Sequence, residues 1–283
     1  MRSKLFVPGA RPELFDKALA SAADALSFDL EDSVPEAGKQ AARAAIASFL
    51  ARADVLASNK LLIVRTNATD SPHFAADLAA MAVPGLWLLN IPKVESAAQV
   101  RQVVVALERA EAANGVTRPI GLLLNIETPR GLRLAAELAG AHPRVAGLQL
   151  GLGDLFAPNG IARTSANVHA VLFAVKMAAT EAGVFACDGA WPDVADAEGF
   201  RTEAMLAQQL GYIGKSCIHP RQVGQANVIF SVAEAELDEA RRIVAAAQAA
   251  SDLGRGAFLF EGRMIDVPYL RRAEALLAGA LRA

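Results

Sequence analysis

The chain has 283 residues, 53% of them hydrophobic, with 28 basic and 30 acidic side chains and a net charge of −2. That much apolar material supports a large core and excludes disorder, and a near-neutral balance with no basic run argues against a nucleic-acid surface. At roughly 150 residues per domain the length suggests two domains, yet α/β barrels of about 250 residues fold as one unit. The positive mean hydropathy comes from scattered alanine. The most apolar stretches, 61–64 and 86–91, are far short of the ~20 residues that span a bilayer. The opening Met1-Arg2-Ser3-Lys4-Leu5 has no apolar signal-peptide core. Two cysteines, Cys187 and Cys217, form no disulfide framework or zinc spacing. The expectation is a cytoplasmic protein with no membrane and no nucleic-acid partner.

Short apolar runs recur at 5–7, 25–30, 61–66, 86–91, 120–126, 145–150, 184–187 and 212–218. Each is too short for a buried helix and reads as a strand covered on both faces. Amphipathic stretches at 12–22, 39–53, 97–113, 132–139, 166–182 and 198–210 separate them. Strands alternating with helices predict a parallel sheet with right-handed crossovers, and eight units predict a closed (β/α)8 TIM barrel. Beyond it come a helix at 233–250, Gly254-Arg255-Gly256, an apolar run at 257–260, a turn at Glu261-Gly262 and a final helix at 267–281. The expected organisation is a catalytic barrel over 1–222 and a helical extension over 223–283. A barrel does not need that tail, which packs outside or closes as a lid over its own or a neighbour's site.

Reacting groups of this fold sit at the C-terminal ends of the strands. Strand 2 ends in Asp29-Leu30-Glu31-Asp32, strand 3 in Arg65-Thr66-Asn67, strand 4 in Pro92-Lys93-Val94-Glu95 and strand 5 in Glu127-Thr128. Strand 6 ends in Gly151-Leu152-Gly153-Asp154, strand 7 in Asp188-Gly189, and strand 8 carries Lys215 and His219. Glu127 and Asp154 end adjacent strands, and two carboxylates suit a hard cation such as Mg²⁺. Alternatively, Glu127 pairs with Arg130 and Asp154 caps the next helix. Arg65 matches an anionic substrate bidentately, or else forms a buried salt bridge to Asp29 or Glu31. Lys93 reads as an ion pair, and Asp29, Glu31 and Asp32 as groups that orient the metal's surroundings and the basic side chains. The glycines of Gly151-Leu152-Gly153 let backbone N–H groups approach a substrate carboxylate. His73, His142 and His169 read as surface residues, His219 as a structural turn or a mouth residue, and both cysteines as small buried hydrophobes.

At these residues the chain resembles the citrate lyase β-subunit-like branch of the HpcH/HpaI aldolase family. The matching segments are Leu5-Phe6-Val7-Pro8-Gly9 with Arg11-Pro12, Asp29-Leu30-Glu31-Asp32-Ser33-Val34 with Lys39 and Arg43, and Val64-Arg65-Thr66-Asn67. Further on they are Ile91-Pro92-Lys93-Val94, Ile126-Glu127-Thr128, 151–155, Gly214-Lys215, Ile218-His219-Pro220 and Gly262-Arg263-Met264-Ile265-Asp266. The resemblance implies a Mg²⁺-dependent lyase that cleaves or forms a β-hydroxyacyl-CoA from an acyl-CoA thioester and a keto acid. It implies Glu127 and Asp154 as metal ligands, and Arg65, Glu127, Gly153 and Asp154 against the keto acid. It also implies Arg65 and Asp266 as catalytic groups, with Asp266 reaching a neighbouring subunit of a homo-oligomer, a trimer. Other readings are a thioesterase at the same site, a lyase subunit using an acyl carrier protein, and a non-catalytic scaffold. The chain departs from the family at Glu261-Gly262-Arg263, where Asp-Gly-Lys is usual, at Phe230-Ser231-Val232, and at Trp191.

Overall fold

The computed structural model describes residues 1–252 and 256–280. Its eight parallel strands are β1 (Ser3–Pro8), β2 (Ala25–Asp29), β3 (Leu61–Arg65), β4 (Leu86–Ile91), β5 (Gly121–Ile126), β6 (Val145–Leu150), β7 (Phe185–Cys187) and β8 (Lys215–Cys217). They lie in the spatial order β7-β6-β5-β4-β3-β2-β1-β8. The β7–β8 seam is made by one parallel bridge, Asp188 with Lys215. Backbone bonds from Ile213, Asp188 and Ser216 to Ala186, Gly214 and Asp188 complete it. The sheet therefore curls into the expected barrel and leaves no long unpaired edge.

Around the strands run α1 (Phe15–Leu19), α2 (Lys39–Leu50), α3 (Ala53–Leu56), α4 (Phe74–Met81), α5 (Ala97–Ala113), α6 (Pro129–Arg133) and α7 (Ala135–Ala139). They continue with α8 (Leu152–Phe156), α9 (Ser165–Glu181), α10 (Ala197–Gln209) and α11 (Pro220–Ile229). Ser96, Thr128, Thr164 and Asp196 cap α5, α6, α9 and α10 with side-chain oxygens. The outward residues of the strands, such as Leu26, Phe28, Leu62, Val64, Leu89 and Leu124, join the helices in one large core. A smaller inner layer of Ala25, Ile63, Leu88 and Leu123 lies inside the barrel.

The chain divides into two compact units, Met1–Phe230 and Ser231–Ala283. The division falls after α11, not after residue 222, because Val223 and Ala226 of α11 are buried in the core that covers the strands. α11 is thus a helix of the barrel. The second unit has α12 (Glu234–Asp252), β9 (Phe258–Phe260), β10 (Arg263–Ile265) and α13 (Val267–Ala280). β9 and β10 pair antiparallel, and Glu261 and Gly262 between them both have positive φ, as a two-residue hairpin loop of the twisted kind requires. Ala240, Ile243, Ile265 and Ala273 form this unit's core. Residues 254 and 255 of the expected glycine turn, and residue 281 of the expected last helix, lie outside the described residues. Among those described, no helix is long and apolar enough to cross a membrane.

Candidate active site

β2 and β3 deliver the first pair. Their register sets Asp29 beside Arg65, and the side chains meet as a fork. Nε donates to Asp29 Oδ1 at 2.6 Å and Nη2 to Oδ2 at 2.9 Å. Arg65 Nη1 lies 2.8 Å from Glu31 Oε2 and donates to Asp32 Oδ2 at 3.2 Å. The planar fork expected to face a substrate is therefore turned onto Asp29, so the salt-bridge alternative describes its geometry. Hydrogen bonds to Asp29 and Asp32 occupy three of its five N–H groups. Burial alone raises the Asp29 carboxyl, but Arg65 outweighs it and holds the group below its usual range. Backbone N–H groups of Glu31 and Ser33 also donate to Asp29.

Lys93 follows β4 with φ of 52°, a left-handed conformation uncommon for a side-chain-bearing residue. This turn aims its backbone N–H at Glu127 Oε1, 2.8 Å away, while its ammonium pairs with Glu31 Oε1 at 2.8 Å. Lys93 is the expected ion pair, and its backbone also holds the neighbouring strand's carboxylate. Glu31 bridges Arg65 and Lys93, yet burial still raises its pKa.

Glu127 is 2% exposed. Besides the Lys93 N–H it accepts a bond from Asn125 Nδ2 at Oε2, 3.2 Å, and no bond from Arg130. Burial, then the charge of Glu31 and to a lesser degree that of Asp154, push its pKa up to about 7. Asp154 stands in the first turn of α8, exposed, and is not the cap of that helix, whose N-cap is Gly151. A Cβ at Gly151 would lie 2.5 Å from Glu127 Oε2, so only glycine permits this approach. At Gly153 a Cβ would meet nothing within 4 Å. Gly153→Ala is accordingly expected to leave urea stability within about 0.5 kcal/mol of the parent.

Asp29, Glu31, Asp32, Glu127 and Asp154 thus lie around Arg65 and Lys93, the two cations that their carboxylates engage most directly. Glu127 carries a carboxylate that burial and like charges make costly to ionise. Its oxygens and those of Asp154 are hard donors, and a divalent cation between them would offset the surplus charge. Among the described residues no three acidic, histidine or cysteine side chains gather closely enough to hold a metal by themselves, so such a cation would rely on these two carboxylates and on oxygens of water or substrate.

Two expected rim residues point elsewhere. Lys215 Nζ donates to Asp188 Oδ2 at 2.6 Å and to Glu203 Oε1 at 2.7 Å, with Lys215 and Asp188 fully buried. Arg163 closes the network on Glu203 and the Ala190 carbonyl, and its guanidinium lies 4.8 Å from the Trp191 ring centre. These charges tie the seam strands to α10 and the loop after β7. His219 Nδ1 accepts from the Arg221 N–H as cap of α11, which is the structural-turn reading. The thiols of Cys187 and Cys217 are buried and pushed up to about 11 and about 12, in keeping with inert small hydrophobes.

Sequence reasoning missed Asp77 and Asn125. Asp77 on α4 is fully buried, accepts from the Asn67 N–H and side-chain amide at 2.8 and 2.6 Å, and pairs with Arg43. Lys39 donates to the carbonyls of Leu30 and Glu31 and to Asn67 Oδ1, so this network holds the Glu31 loop in place. A lone carboxylate within the apolar stretch 74–81 was the available signal. In the second unit, Asp266 links β10 to α13, its carbonyl accepting from the Leu270 N–H. Asp266 Oδ1 is buried and has no hydrogen-bond partner among the described residues.

A closed parallel barrel with carboxylates at its strand ends and further helices after the last strand is an architecture of α/β-barrel enzymes. Residues 2–220 match the HpcH/HpaI aldolase/citrate lyase family model. An L-malyl-CoA/β-methylmalyl-CoA lyase of Cereibacter sphaeroides is 36% identical across 99% of this chain and 94% of its own length. A citrate lyase subunit β-like protein of Deinococcus radiodurans is 38% identical across 98% and 96%. Among solved structures, protein CitE of Mycobacterium tuberculosis in complex with magnesium, acetoacetate and coenzyme A superposes with a TM-score of 0.76. It is 35% identical, with 99% of both chains covered. The chain belongs to the HpcH/HpaI aldolase/citrate lyase family.

Proposed function

We propose that the chain is a magnesium-dependent CoA-ester lyase that cleaves or forms the bond between an acyl-CoA and a keto acid in a β-hydroxyacyl-CoA. The observation that carries this reading is the crowded carboxylate set, with Glu127 buried, glycine-cradled and pushed up to about 7. Glu127 and Asp154 are the ligands, and bound there magnesium supplies a Lewis-acid charge against the keto acid's oxygens. Lys93 and Asn125 hold Glu127 through both its oxygens. Arg65, fixed by Asp29, brings its charge and its remaining N–H groups to bear on the oxygen that becomes negative in the transition state. The backbone of Gly153 receives the keto acid's carboxylate.

Asp266 is the acid/base group. In condensation it takes a proton from the carbon next to the thioester carbonyl, the resulting enolate attacks the keto carbon, and cleavage reverses the path. An Asp266 oxygen without a hydrogen-bond partner supports this role. We assign the second unit as the lid, donated by a neighbouring copy in a homo-oligomer, a trimer, in the reducing cytoplasm. Asp266→Asn is expected to lower kcat by about 100-fold with keto-acid affinity changed less than about threefold, because the group acts on the other substrate half. Thermal melts with oxaloacetate, pyruvate or glyoxylate test the whole reading. At least one should raise Tm with Mg²⁺ and not without it. No shift with any of them would overturn the lyase.

A further inference from the structure

Lys4 lies on the inner side of β1, in register with Ala25 of β2 and Ser216 of β8, and is completely buried. Its Nζ sits 4.0 Å from the centre of the Phe6 ring and has no hydrogen-bond partner among the described residues. A lysine in that setting is rare, because an ammonium withdrawn from water needs donated electron density on every side. The same inner face carries other polar atoms that meet no partner among the described residues. They are Ser27 Oγ, Ser216 Oγ, both amide atoms of Asn90, Asn125 Oδ1 and Gln149 Oε1. The register joins Asn125 to Gln149 and Gln149 to Cys187, and Lys4 is in electrostatic contact with Cys187. Lys4 and these amides therefore all face the barrel interior, which they share with the apolar cluster of Ala25, Ile63, Leu88 and Leu123.

Donors and acceptors gathered in one place, yet too far apart to bond directly, are satisfied by bridging water. We propose that the barrel axis beneath the carboxylates is an internal water site centred on the Lys4 amine, and that Lys4, through this water and Asn125, is a positioning residue for Glu127. Asn125 is the link. Its Nδ2 donates to Glu127 Oε2, and its free Oδ1 is the atom that water on Lys4 reaches. With Oδ1 held as an acceptor the amide cannot flip, and the donor stays aimed at Glu127. The positioning half of the proposal rests on Glu127 being a magnesium ligand; the water site does not.

The test uses the full chain and magnesium alone as probe, read by titration calorimetry, together with a crystal structure that resolves ordered water. The structure should show water bridging Lys4 Nζ and Asn125 Oδ1. Lys4→Met should fold, yet bind magnesium about tenfold more weakly, as expected for lost outer support of a ligand. Lys4→Gln, which can still hold water, should bind within threefold of the parent. Asn125→Leu should weaken binding like Lys4→Met, and the double variant should be no weaker than the weaker single variant. A dry axis overturns the water site. Unchanged binding in Lys4→Met, or losses that add in the double variant, overturn the positioning role. Glu127→Gln in parallel separates the two layers, since unchanged binding there removes the metal assignment and the positioning role with it, while the crystal structure still judges the water.

Discussion

Glu127→Gln is expected to lower magnesium affinity by about 100-fold and turnover by about 1,000-fold or more, measured by calorimetry and by release of the free keto acid. The reason is charge and not shape. Glutamine fills the same space, but both atoms of the native carboxylate accept from N–H donors, Lys93 on one side and Asn125 on the other. The new amide nitrogen faces one of those donors, and the negative charge is gone. Metal-free stability should move the opposite way. A carboxyl raised to about 7 in the folded chain binds more protons than the unfolded chain between the ordinary 4.5 and 7, so it lowers stability progressively as pH rises through that window. The variant lacks this penalty, and above pH 7 it should unfold at higher urea than the parent while turning over far less. A variant both inactive and less stable above pH 7 would count against the assignment.

Lys4→Met should give the largest gain in stability, up to about 5 kcal/mol at pH 6. Burial, reinforced by Arg65, lowers the Lys4 pKa from 10.5 to about 7, against the opposing charge of Asp29. Between about 7 and 10.5 the unfolded chain holds a proton that the folded chain has released. Stability therefore rises with pH across that window, and the full penalty stands below pH 7. The advantage of methionine should shrink by several kcal/mol between pH 6 and pH 10, as read from urea midpoints at both. An advantage independent of pH would show that packing alone is responsible. Water at the amine reduces the size of the effect without changing its sign.

The barrel was legible because two periodicities are strong in this chain. The ranges 86–91, 145–150 and 97–113 coincide with β4, β6 and α5. Where polar residues interrupt the pattern, legibility fails. α4 carries Asp77 in its apolar stretch, and α11 begins at a His-Pro corner that reads as a turn. The runs at 12–22 and 132–139 break into shorter helices, since Pro12 opens a 3-10 turn and Leu134 separates α6 from α7. The stretch 212–218 contains only three strand residues, as Gly214 packs on the Met1 carbonyl and Ile218 bonds to Gln222.

In the site, residue types and strand ends bring Asp29, Glu31, Glu127 and Asp154 into view, and the charges of Glu31 and Asp154 act on Glu127 in the fold. What they could not convey is direction. β7 and β8 are three residues long, too short for alternation to reveal that Asp188 and Lys215 face the helices. Nor does any local pattern disclose that the Arg65 fork closes on Asp29, a contact made across 36 positions of sequence. Asn125 was overlooked for the same reason. An asparagine within an apolar strand carries no chemistry until its partner, Glu127, is seen two residues on.

The β7–β8 seam has a consequence for synthesis. β1 pairs with β2, its neighbour in sequence, but its other neighbour is β8, whose Lys215 meets Ser3. At about 5–20 residues per second, the ribosome spends many seconds with the first strand half-partnered and the inner face of β1 open to solvent. Lys4 stays hydrated and fully charged throughout that interval. Closure of the last strand is then the step at which the nascent chain must either strip the ammonium or enclose its water. An elongation pause placed before residue 215 is expected to prolong a protease-sensitive intermediate with seven strands formed, detectable by limited digestion of stalled chains.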